Sequence, residues 1–157
     1  MKIMLFIDSA ENRLIIMGNM GLLEADRTGG YMTVLSPKTR AVDVPLLRAE
    51  IGEITLTDRL AKYYLFSGEK GERVVLNNPL GHVSSWQSRD PEQDKWGGAI
   101  RAGDFVLSFS GLPELADEAL MLAVALDLNL LTLEEANRIA DISNNHIFRT
   151  MPLDRYK

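Results

Sequence analysis

The stretch that decides the fold is Gly97–Leu126, GGAIRAGDFVLSFSGLPELADEALMLAVAL. It opens on a glycine doublet and continues into an apolar run, Phe105–Phe109, that reads as a strand. A Ser-Gly turn follows, and Pro113 suits the first position of a helix, where its missing N–H leaves no bond unmade. Glu114, Asp117 and Glu118 then set negative charge near the positive end of the helix dipole. From Ala119 to Leu126 no polar residue appears over two turns. A helix apolar on every side requires cover on every side. The sequence leaves open whether another helix of the chain or a second subunit supplies it.

Working outward, the C-terminal segment carries a capping box, Thr132-Leu133-Glu134-Glu135, which predicts a last helix running to about Ser143. Asn144-Asn145 stops it, His146 sits at its end, and the tail from about residue 150 to 157 is expected to be loosely held. Toward the N-terminus, two apolar runs, Ile3–Ile7 and Leu14–Met17, flank the turn formers Asp8–Arg13 and predict a hairpin. A second hairpin is predicted for Tyr31–Leu35 and Arg40–Val44 around Ser36-Pro37-Lys38-Thr39. Residues 56–76 suit a helix or a hairpin equally. The polar stretch of about 77–98 reads as a long ordered loop, a type that often carries function. These elements predict one α+β domain over 1–157, an α/β sandwich. Its mainly antiparallel sheet is built from hairpins, with the two C-terminal helices packed on one face.

Composition excludes several function classes. A net charge of −5, with basic residues scattered among acids, argues against nucleic-acid binding. The chain has no cysteine, which removes disulfides, thiolate metal sites and cysteine nucleophiles and suits a cytoplasmic protein. No apolar run approaches membrane-spanning length, and Ile3–Ile7 is too short for the apolar core of a signal peptide.

Candidate binding residues gather at the strand-to-helix junction and in the loop before it. Strand alternation puts Ser108 and Ser110 on one face. With Gly111 and the turn amides they could hold an anion such as a carboxylate, or simply form a tight connection. His82, near Trp86 and Trp96, could ligate haem or help hold a flat cofactor, or lie on the surface beside packed tryptophans. Gly-x-Ser-x-Gly is absent and Ser110 has no evident base, so a serine hydrolase is the least favoured reading. Asp90, Glu92 and Asp94 alternate in a polar loop and read as solvated rather than metal-binding.

Gly97-Gly98, Phe105–Gly111 and Asp117-Glu118, with the opening IMLFIDSAENRLIIM, resemble the GlcG-like haem-binding (haem-degrading domain) family over about a third of the chain. The resemblance implies a small α/β domain, self-association and binding of haem or a similar small molecule. It implies no catalytic residue. The reading is an accessory small-molecule-binding protein of cytoplasmic location, its ligand held between Ser108–Leu112 and His82–Trp96. The alternative is an interaction protein that forms a homo-oligomer through its apolar helix 113–128.

Overall fold

A computed structural model describes residues 2–36 and 45–157. Helix α1 (Met4–Asn19) is followed by strands β1 (Thr28–Leu35) and β2 (Leu47–Glu53), then helix α2 (Leu60–Leu76). Strands β3 (Ala99–Ala102) and β4 (Phe105–Ser110) precede helices α3 (Glu114–Asp127), α4 (Leu133–Ser143) and α5 (His146–Thr150). The fold is α+β. Its antiparallel sheet has the order β2-β1-β4-β3, two hairpins joined by the pairing of β1 with β4. No helix among the described residues is long and apolar enough to cross a membrane.

The two faces of the sheet bury different cores. Met32, Val34, Ile51, Ile100, Leu107 and Phe109 point into the larger one, shared with α1, α3, α4 and α5. Leu35, Val106 and Ala99 point to the other face and meet Val74 and Val75 of α2. Of the two long C-terminal helices, α3 packs directly on β3 and β4 and α4 packs against α3. A helix the sequence left ambiguous, α2, covers the opposite face.

Three expectations change. The opening segment is helix α1, not a hairpin. Phe6, Ala10, Leu14 and Met17 recur at helical spacing and are buried, while Asp8 and Asn12 among the supposed turn formers lie exposed. Exposed Met4, Leu5 and Ile15 on the outer face obscure that periodicity in the sequence. Tyr31–Leu35 does form part of a strand, but β1 pairs with Leu47–Glu53; residues 37–44, which hold most of the expected turn and its return strand, lie outside the described residues. Residues 60–76 are helix, with Tyr63, Ser67, Lys70 and Val74 buried along one stripe.

The C-terminal reading is closer. Thr132 and Glu135 form the expected capping box, and Asn144 ends α4 in the left-handed conformation. Pro113 occupies the N-cap, one position before the helix proper. His146 begins α5 rather than ending α4, because Asn145 Oδ1 accepts from the Phe148 amide and starts a new turn. The tail is docked: Met151 and Leu153 are buried, and Tyr156 and Arg155 reach Asp127.

Helix α3 is the centre of the molecule. Every residue from Ala116 to Leu126 is buried, by the sheet and by α1, α4 and α5 of the same chain. Within the apolar helix 113–128, residues 116–126 are therefore covered by the protomer itself. Leu122→Glu should unfold the protein, because an unpaired buried carboxylate costs several kcal/mol against a total stability of about 5–15 kcal/mol. Circular dichroism and size exclusion check this, and a folded, smaller species would contradict it. Gly111 has φ +152°, and a Cβ there would stand 2.2 Å from the Gly29 carbonyl oxygen of β1. Gly111→Ala should cost about 3 kcal/mol or more in denaturant unfolding, since strain and backbone overlap act together.

Candidate functional site

At the end of β4, a buried ion pair joins the two helical layers. Lys70, on α2, donates to Asp117 Oδ2 of α3 at 2.9 Å and to the Phe109 carbonyl at 2.9 Å. Asp117 Oδ1 accepts from the Leu112 amide at 2.9 Å, so the same carboxylate closes the turn between β4 and α3. Both side chains are almost wholly buried. Burial pushes the Asp117 carboxyl up to about 6, opposed by Lys70. Gly98, at φ +126°, passes beside the pair: a Cβ would lie 2.8 Å from Asp117 Cβ and 2.9 Å from Lys70 Nζ.

Above the pair opens a cleft of about 240 Å³. Tyr63, Phe66 and Lys70 line it from α2, Ser110 and Leu112 from the turn, and Trp96 from the loop. Arg27 lines it from the chain leading into β1, with Arg59 and Lys62 at the start of α2 and Glu114 and Asp117 on α3. Arg27 donates to the Gly111 and Leu112 carbonyls at 3.1 and 2.7 Å. The Tyr63 hydroxyl is buried and has no hydrogen-bond partner among the described residues.

The 77–98 loop is held as an ordered wall by one guanidinium. Arg73 of α2 donates to the carbonyls of Ser85, Ser88 and Trp96, to Ser88 Oγ and to Glu69. Arg89 lies 4.8 Å from the Trp86 ring centre and 5.5 Å from that of Trp96, and pairs with Glu114. Glu114 also accepts from the Gly97 amide at 2.8 Å.

Ser110 and Trp96 thus line the cleft, and Gly111 contributes a carbonyl beside it. Ser108 lies instead beneath α2, fully buried, its hydroxyl unpaired. Trp86 stands one layer out, its ring over Gly97 and stacked with Arg89. His82 precedes Val83, whose carbonyl accepts from the Arg101 amide, and so sits at the far end of the β3–β4 hairpin from Ser110. Of the amides around the junction, Leu112 donates to Asp117 and Gly97 to Glu114.

The acids of α3 are specific acceptors, not only partners of the helix dipole. Glu118, fully buried, accepts from Ser84 Oγ at 2.7 Å, from Asn145 Nδ2 at 3.0 Å and from Ser143 Oγ, joining the loop, α4 and α5 to α3. Burial raises its carboxyl above the usual range. The residues do not fit a haem. The cleft is below the 300–1,000 Å³ typical of drug-sized ligands, a haem is larger still, and His82 is outside it. Neither histidine lines the cleft, so Ser110 has no imidazole base there. Among the described residues no group of three His, Cys, Asp or Glu side chains is placed to hold a metal ion.

Sequence reasoning missed Tyr63, Phe66 and Lys70. Their spacing of three and four is the helical signal that would have found them. Arg27, Arg59 and Lys62 carried no local signal, since only packing brings them together.

Asp117→Asn should destabilise the protein by about 3–5 kcal/mol at neutral pH, because it leaves the Lys70 ammonium buried without a counter-charge. Adding Lys70→Met should recover part of that loss in a double-mutant cycle read by urea unfolding. With its carboxyl near 6 when folded and about 3.9 unfolded, Asp117 holds a proton more tightly in the native state. Its contribution therefore falls as pH rises from about 4 to about 6, and Asp117→Asn should flatten that part of the stability profile. No protein-family model, curated protein or solved structure matches the chain.

Proposed function

We propose that this chain is an accessory small-molecule-binding protein whose ligand occupies the cleft between Tyr63, Trp96 and Ser110. One observation carries the reading: the buried Tyr63 hydroxyl, on the cleft lining, has no partner among the described residues. Leaving a buried hydroxyl unpaired costs about 1–3 kcal/mol, a cost that a ligand acceptor or donor would remove. Ser110, buried on the same lining, brings a second hydroxyl to the site. Apolar cover from Phe66 and Trp96 around a few polar groups is the usual composition of a ligand site. The chemistry supports binding more than catalysis, since the lining acids are engaged and Ser110 lacks a histidine. The cysteine-free composition supports a cytoplasmic setting.

A thermal-shift screen of small metabolites tests the reading. A ligand at about 100 times its Kd adds ~2.7 kcal/mol, which raises the Tm by roughly 5–10 °C in a domain of this size. Tyr63→Phe separates binding from folding. Removing an unsatisfied hydroxyl should leave the unliganded protein equally or more stable while reducing the ligand-induced rise. A Tyr63→Phe variant that loses stability and keeps the full rise would contradict the proposal.

A further inference from the structure

We infer that the cleft takes a small monoanionic carboxylate on a compact apolar body. This deepens the proposal above and rests on it. The charge balance of the lining sets the class. Arg59 and Lys62 form no ion pair among the described residues, and Arg27 reaches the Asp117 carboxylate only through the field, without a hydrogen bond to it. Arg27 donates to the Gly111 and Leu112 carbonyls, and the Lys62 ammonium lies 5.3 Å from the Phe66 ring centre. Both acids on the lining are already engaged, Glu114 by Arg89 and the Gly97 amide, Asp117 by Lys70 and the Leu112 amide. A local excess of positive charge in a chain of net charge −5 is not the background composition. Such a patch concentrates anions at its mouth.

The same lining limits the charge and size of that anion. Glu114 and Asp117 remain close enough to line the cavity, so a second negative charge on the ligand meets like charge at short range. A monoanion is favoured over a dianionic phosphate ester. At about 240 Å³ the cleft lies below the roughly 300–1,000 Å³ typical of drug-sized ligands, which keeps the anion compact. Phe66, Trp96 and Leu112 offer its body an apolar wall, while the hydroxyls of Tyr63 and Ser110 are neutral donors for the carboxylate.

The test is a titration of the full chain with benzoate and isovalerate, with their neutral amides, and with inorganic phosphate. Heteronuclear NMR shifts of the Trp96 indole and of the Gly97–Leu112 amides report the cleft. The acids should move these signals, and the amides and phosphate should bind at least about tenfold more weakly. Arg59→Gln with Lys62→Gln, both exposed side chains, should weaken the acids by about tenfold, leave the amides unchanged and leave folding intact. Amides that equal the acids would overturn the anion assignment and leave the cleft a neutral-ligand site. Phosphate tighter than the carboxylates would overturn the monoanion. No acid moving these signals at tens of millimolar would also overturn it. If the metabolite screen then finds a neutral cleft ligand, only the anion class fails; if nothing binds the cleft, the proposed function fails with it.

Discussion

The structure depends on the Lys70–Asp117 ion pair. It passes from the helix on one face of the sheet to the helix on the other, just beyond the last residues of β4. Two charges this deeply buried are stabilising only if both are paired and their remaining valences are met. Here Lys70 takes the Phe109 carbonyl as well, and Asp117 takes the Leu112 amide. The pair therefore does more than join two helices. Its hydrogen bonds reach the Phe109 carbonyl near the end of β4 and the Leu112 amide in the turn before α3.

Much of the surrounding sequence accommodates that pair. Gly98 leaves room for it, and the approach of Gly111 to β1 brings the strand ends together beside it. A polar loop that has no regular structure of its own is organised around Arg73, whose donors converge on three loop carbonyls. Glu118 supplies a second buried junction, tying the same loop to α4 and α5. The cleft opens beside the Lys70–Asp117 pair. Its floor is an ion pair, its wall is aromatic and its mouth is cationic.

Several residues that resemble the haem-binding domain family make internal contacts in the structure. Gly98 lies against the buried ion pair, Ser110 lines a cleft without histidine, and Asp117 with Glu118 form internal hydrogen bonds. The segment IMLFIDSAENRLIIM is a single helix packed over α3 and β2. His82 does not line the cleft at the end of β4.

What the sequence by itself determined is local. The strand at Phe105–Phe109, the proline before α3, the capping box at Thr132–Glu135 and the asparagine stop at Asn144 are each specified by neighbouring residues. The demand of Ala119–Leu126 for cover on all sides was legible too. Tertiary structure decided which cover was used, because the chain's own α1, α4, α5 and sheet surround α3. It also decided the state of α1 and α2. Their buried stripes become distinguishable from exposed apolar residues such as Ile15 and Leu65 only when the sheet is present to bury one side. The cleft is the least local feature of all. Arg27, Arg59, Tyr63, Trp96 and Ser110 come from separate segments, and only the packing of α2 and the loop against the end of β4 gathers their side chains around one cleft.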